Sequence, residues 1–398
     1  MSGGETTLQS SQNPDLPRRQ ERRYDLDWLR VISVLLVIGF HVTEMFDPTI
    51  RFHYVQGEPN ALAAAIDFFA LQWIIPLLFL VAGVSAWWAL DTRTGKQFAL
   101  DRIRRLLAPL VFGTIVLVPI MSYFQMLQSA VFAGSFVQFY QVYFFSYITQ
   151  EGWGHLWFLA YLLVFSLVAL PLFVLLKRPR GRRLADWITQ HLRVTGILLL
   201  LPVPLVFIEV TLRAPYPFGM PTLISDWASL LNFLTLFIYG YLIMSNRLVQ
   251  EAVKKVRFVA LAAGIATAAG RFVLGWTGNL PAPDYSLNWS LYMTLNAFDS
   301  WFWITTILGL GFKHLNVSTK ALGYLNDIVV PIYILHLPVA VIVAFYVVAW
   351  PTLTVVKAIV ILGGTLAITL GLCEVCVKRT RATRFLFGMR SRRPVPTA

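Results

Sequence analysis

Charge is scarce in this sequence: only 13% of the 398 residues are Asp, Glu, Lys or Arg, against 57% that are hydrophobic, and the mean hydropathy is +0.65. A soluble domain of that composition would be short of solvated surface. Cysteine is nearly absent. The two present, Cys373 and Cys376, form a CxxC with no second Cys or His pair and no βαβ context, so they read as small packing residues of a helix. The every-second-residue alternation of a membrane β-barrel strand is missing. No internal repeat and no phosphate-binding loop is visible.

What fills the chain is a series of continuous apolar runs of roughly 18 to 25 residues, the length that crosses a bilayer as a helix. Ten are predicted, at about 29–46, 66–90, 106–125, 155–176, 195–211, 228–245, 256–275, 294–312, 328–349 and 353–375. The fold class expected is all-α, a polytopic membrane protein with about ten transmembrane helices. It divides into a polar, basic tail (1–23), a ten-helix membrane domain (24–376) and a second basic tail (377–398).

The net charge of +13 raises nucleic acid as a partner, and its placement argues against one. With both ends on one side, 28 of the 33 Lys and Arg fall on that side, while the opposite connectors hold only Arg51 and Arg213. That asymmetry is the positive-inside rule and predicts that both termini are cytoplasmic. No small-residue cleavage site closes the first apolar run, so it is expected to stay as an uncleaved anchor. The outward connector Ser129 to His155 is aromatic and free of Lys and Arg. It is expected to fold back on the outer surface, its rings serving the membrane interface or stacking on sugars.

Ionisable groups inside a membrane helix cost several kcal/mol unless they face protein or water, so each is a candidate for function. The first run, "YDLDWLRVISVLLVIGFHVTEMF", carries Arg30 and His41 eleven residues apart. At about 100° per residue that is nearly three turns, which puts both on one face about 16 Å apart along the axis. Asp27 and Glu44 extend the stripe. The plainer alternative pairs Asp27 with Arg30 at the interface and leaves His41 as a helix-end group. In "DRIRRLLAPL", read as a helix start, Arg102 and Arg105 share a face and suit phosphate, although basic anchoring explains them equally well. "HLWFL" (His155 to Leu159) opens a helix from outside, and "VPIYILHLPV" sets His336 between two prolines, facing a cavity or bonding a neighbouring carbonyl. Arg271, Asp226 and Asp299 lie near outer helix ends, where snorkelling accounts for most such groups.

Taken together these motifs resemble the acyltransferase-3 family of integral membrane acyltransferases. The resemblance rests on Arg30-x10-His41, on "PLLFLVAGVSAW" (Pro76 to Trp87), on the Arg-x-x-Arg of Arg102 and Arg105, and on "HLWFL" and "IYILHLP" in that order. Ala82 stands where a serine often precedes the glycine of the second element. "HLWFL" and "RATRFLFG" (Arg381 to Gly388) look most like the glucans biosynthesis protein C branch, the membrane succinyltransferases of periplasmic glucans. The resemblance implies a bacterial inner-membrane O-acyltransferase that takes a succinyl or acetyl group from cytoplasmic acyl-CoA and gives it to a hydroxyl of an envelope glycan, without a metal. It implies that His41 acts as general base oriented by Glu44, and that Arg30, Arg102 and Arg105 hold the CoA phosphates. His155, Trp157, Tyr333 and His336 would line the substrate cavity. The competing class is an exporter of a glycan or small solute using the same charged stripe.

Overall fold

The computed structural model describes residues 23–50, 54–146, 152–192, 194–217 and 223–389. Residues 1–22 of the first tail, Arg51, residues 147–151 of the aromatic connector and residues 390–398 lie outside the described residues. The helices in chain order are α1 Tyr24–Glu44, α2 Ala61–Ala70, α3 Ile74–Asp91, α4 Gly95–Arg102, α5 Ala108–Val116, α6 Val118–Gln128, α7 Phe136–Ser146, α8 Trp157–Val168 and α9 Leu170–Lys177. They continue as α10 Pro179–Leu192, α11 Thr195–Leu199, α12 Val203–Leu212, α13 Trp227–Ser245, α14 Arg247–Trp276, α15 Leu287–His314, α16 Lys320–Val347, α17 Thr354–Leu372 and α18 Arg381–Leu386. Among the described residues there is no strand.

Among the described residues, seven helical stretches are long and apolar enough to cross a membrane: α1, Ala61–Asp91, Gly95–Gln128, α13, α14, α16 and Thr354–Val377. Two bent pairs bring the number to nine, Gly154–Val168 with α9 at 42° and α10 with Gly196–Leu212 at 94°. The expected run 294–312 falls inside α15, which is long enough but is diluted by Asn288, Asn296, Asp299 and several hydroxyls. The expected run 195–211 is broken around Leu201-Pro202-Val203-Pro204, because proline supplies no N–H to continue the ladder.

The connectors are more helical than their polarity suggests. The chain does not begin a helix at Asp101. It begins at Gly95, where Thr94 and Gln97 form a reciprocal capping box, and continues through a π-helical turn, Ile103–Leu107, into α5. Arg102 and Arg105 therefore sit in mid-helix, and free terminal amides are not part of their surroundings. α10 is an amphipathic basic helix that buries Gly181, Ala185, Thr189 and Leu192 along one stripe. In the aromatic connector, Phe132, Phe136 and Phe139 pack around Tyr123 of α6 at 5.4 to 6.4 Å between rings. Those rings are engaged with the protein itself.

Two helices meet almost backbone to backbone at the centre. A Cβ on Gly83 of α3 would lie 1.8 Å from the Phe237 carbonyl oxygen, and one on Gly240 of α13 would lie 1.9 Å from that of Leu80. With little hydrophobic drive between helices in lipid, such small-residue contacts hold them by close packing. We predict that Gly83→Ala or Gly240→Ala destabilises the protein by about 1–3 kcal/mol in a detergent unfolding assay. Gly363→Ala, with open space at its Cβ, serves as control and should cost nothing; equal losses at all three would refute the assignment.

Candidate active site

The site is organised by two prolines in α16, Pro331 and Pro338. Pro338 has no N–H, so the carbonyl of Ile334, four residues earlier, loses its helical donor. His155 replaces it: its Nε2 donates to the Ile334 oxygen at 3.0 Å. In return the Tyr333 hydroxyl donates to the His155 backbone carbonyl. His155 is brought there by "EGWGH", in which Gly152 and Gly154 have φ of +60° and +49°, and the chain then makes a 3₁₀ turn into α8. A side chain at Gly154 would be strained by its φ and would crowd Tyr54, Val118 and Met121.

Around this clasp the three histidines of the motifs converge. The His41 and His336 rings lie 5.4 Å apart, and those of His155 and His336 lie 5.5 Å apart. In each, one nitrogen is engaged. His41 Nδ1 meets Glu44 Oε2 at 2.6 Å, and His336 Nδ1 donates to the Tyr333 carbonyl at 2.6 Å. A carboxylate or carbonyl accepts, so the engaged nitrogen carries the proton and the other keeps its lone pair. His155 Nδ1 and His336 Nε2 are buried without a partner among the described residues. No group of His, Cys, Asp and Glu among the described residues has the arrangement to hold a metal ion.

Two cavities lie on either side of the Tyr333–His336 turn, and His41 and His155 line the second of them. The first, about 690 Å³, opens beside the start of α1 and is lined by Arg23, Arg30, Arg93, Arg102, Arg105 and Arg384 together with Asp27, Asp101 and Asp327. The second, about 810 Å³, is lined by His41, Glu44, His155, Trp157 and a set of polar and aromatic residues from α12 to α15. Their walls change over within about a turn on three helices: Pro76 to Leu78, Trp157 to Phe158, and Tyr333 to Leu337. The expected stripe on α1 thus runs from Arg30 in one cavity to His41 in the other. Tyr333 faces the arginine cavity, away from the one that holds His41, and fully buried His336 lies between them.

The arginines differ in their partners. Arg30 contacts Asp27 at 3.3 Å, the pairing expected at the interface, and Arg93 contacts Asp101 at 2.8 Å. Arg105 donates from Nε to the Gly388 carbonyl at 3.1 Å, which seats the segment after α18 as part of the cavity wall with Arg384 and Met389. Arg102 is the exception. Its guanidinium lies 4.9 Å over the Phe98 ring and makes no hydrogen bond or ion pair among the described residues.

The acidic and basic groups expected near outer helix ends are paired inside the protein and do not snorkel. Arg271 and Asp299 form an ion pair at 2.8 Å with side chains 2% and 0% exposed, and Thr267 donates to the other Asp299 oxygen. Arg213 holds Glu209 through two bonds, 2.8 and 3.0 Å, with Asp226 at 3.5 Å. Charges this deep need partners, and helix-on-helix packing supplies them before water does. Glu209 and Asp67 were passed over in the sequence. The i, i+4 spacing of Glu209 and Arg213 was the available signal for one, and a lone acid within "ALAAAIDFFALQW" for the other. Asp67 is fully buried on α2 and accepts a hydrogen bond from Thr43, the neighbour of Glu44.

The clasp gives a double-mutant prediction. His155→Ala should destabilise the protein by about 1–3 kcal/mol by orphaning the Ile334 carbonyl. Pro338→Ala in the same chain restores a backbone donor and should recover part of that loss; strictly additive unfolding energies would show that the clasp carries no coupling.

A family model described as an acyltransferase domain matches residues 23–374. No curated protein and no solved structure matches the chain. The match takes in α1 with its Arg30–His41 stripe, the Arg102–Arg105 turn, the His155 clasp and both prolines of α16. The chain therefore belongs to the acyltransferase-3 family, and it is a membrane acyltransferase.

Proposed function

We propose that the protein moves an acyl group, succinyl or acetyl, from cytoplasmic acyl-CoA to a hydroxyl of an envelope or periplasmic glycan, with His41 as general base. The observation that carries this reading is the pair of neighbouring cavities along α1, one basic and one lined by a His–Glu dyad. The clustering of Lys and Arg supports a bacterial inner-membrane orientation in which both ends and the arginine cavity face the cytoplasm. The periplasmic glucan succinyltransferase branch remains the first choice on the strength of "HLWFL" and "RATRFLFG".

The donor fits the basic cavity on a specific ground. The Arg102 guanidinium, without a hydrogen bond among the described residues, presents a fork of N–H donors that a phosphate or pyrophosphate completes, with Arg30 and Arg105 adding charge. The pantetheine arm then runs along α1, whose rise from Arg30 to His41 is about 16 Å. In the transfer step, His41 Nε2 takes the proton of the acceptor hydroxyl as its oxygen attacks the thioester carbonyl. Glu44 steadies the imidazolium that forms, as a carboxylate does in a catalytic triad. The tetrahedral intermediate then breaks its C–S bond, and the CoA thiolate leaves and takes up the proton. Tyr333 lines the donor cavity, and His336, in ring contact with both Tyr333 and His41, flanks the place where the two partners would meet.

Two outcomes are predicted for purified protein in detergent supplied with labelled acyl-CoA and a glucan acceptor. His41→Ala should lower transfer by about 10²–10⁴-fold while CoA binding, read by calorimetry, stays intact; preserved transfer removes His41 from the chemistry. Arg102→Ala should raise the KM for acyl-CoA by about 10–100-fold with kcat little changed, and Arg102→Lys should restore only part of it. Solute movement in sealed vesicles without consumption of acyl-CoA would favour an exporter instead.

A further inference from the structure

The cavity that holds His41 and Glu44 differs from its basic neighbour in having both its guanidinium groups paired with carboxylates. Arg213 is matched by Glu209 and Asp226, and Arg271 is matched by Asp299 while its guanidinium lies 4.5 Å over the Phe68 ring. Both Glu209 oxygens are engaged, one by Arg213 alone and one by Arg213 and Asn232 at 2.7 Å. Both Asp299 oxygens are engaged as well, and Asp226 caps α13 through Ser229. An anionic ligand would therefore meet no guanidinium without a carboxylate partner, and a cationic one would compete with His41 for Glu44.

What the wall does offer is amide and aromatic surface. Asn296 lines the cavity, is only 7% exposed, and its side chain makes no hydrogen bond among the described residues. Gln72 also lines it without one, and Asn232 presents the carbonyl oxygen that its bond to Glu209 leaves over. An amide pairs one acceptor with two donors, and a hydroxyl is both donor and acceptor, so each can answer the other. Trp157 and Phe233 line the same cavity, stacked with ring centres 6.0 Å apart. An apolar ring face suits the C–H face of a sugar.

We propose that this cavity is the acceptor subsite and that it selects an uncharged polyhydroxylated ring, one without carboxylate, phosphate or amine, read by Asn296 and Asn232 against the Trp157–Phe233 face. The proposal rests on the acyl-transfer reading above and adds to it the charge class of the acceptor and the residues that recognise it. Asn296 holds hydroxyls next to the one that reacts, so it acts on acceptor binding and leaves donor binding alone.

The test uses the full-length protein in detergent with labelled acyl-CoA and three acceptors of one length: a neutral glucan oligosaccharide, its carboxylated form and its amino-sugar form. The expected result is at least tenfold better kcat/KM for the neutral acceptor. Asn296→Ala should raise the KM for that acceptor about tenfold, with KM for acyl-CoA unchanged, as expected when a buried partner for a hydroxyl is lost. Asn296→Asp, which keeps the size and adds charge, should also raise it and guards against a variant that fails to fold. Equal or better use of a charged acceptor, or an unchanged acceptor KM in either variant, overturns the proposal while leaving acyl transfer in place. Labelled acyl-CoA left intact by the wild type with every acceptor would overturn the acyl-transfer reading itself, and this inference with it.

Discussion

A single missing hydrogen bond organises the centre of this protein. Pro338 deprives the Ile334 carbonyl of its helical donor, and a carbonyl left bare in a membrane interior costs several kcal/mol. His155 supplies the donor from another helix, and that one bond fixes where α8 begins relative to α16. Because Tyr333 answers the His155 backbone in the opposite direction, the two motifs hold each other in register. His336, one turn from both, is thereby held within ring contact of His41 on α1. Three separate helices are tied to one spot by a defect in one of them.

On either side of that spot the protein uses charge in opposite ways. The cavity beside the start of α1 gathers six arginines against three aspartates and leaves Arg102 unmatched, an arrangement that favours a polyanion. The other cavity pairs its buried guanidinium groups with carboxylates and keeps its amides open. Such ion pairs contribute little net stability, since desolvation offsets much of their attraction. Their value is to make the wall polar without making it sticky for one sign of charge.

The general plan was legible in the sequence because bilayer thickness fixes helix length and because buried charge is rare enough to notice. The apolar runs fall largely on helix, with the longest breaks at 71–73 and 200–202, and Arg30 and His41 lie in successive cavities along one helix. The His41–Glu44 contact followed from a three-residue spacing. Other features required knowing which helices touch. Arg271 and Asp299 are 28 residues apart on neighbouring helices, and nothing local to either reveals the other. The mid-helix position of Arg102 was hidden by the polar residues after Thr94, although the Thr94–Gln97 capping box was present to be read. The separation of Tyr333 from His41 by a partition depends on side-chain direction over four residues of α16, which hydropathy does not report.

The contact between α3 and α13 carries an implication for how such a sequence can drift. Gly83 and Gly240 each face a carbonyl oxygen of the opposite helix, not a side chain. Enlarging either one cannot be relieved by trimming its neighbour, since a peptide backbone has nothing to trim. The two positions are thus constrained separately, and no compensating exchange between them is open. In a set of related sequences they would show as two fixed sites and not as a correlated pair, so covariation would miss the tightest helix crossing described here.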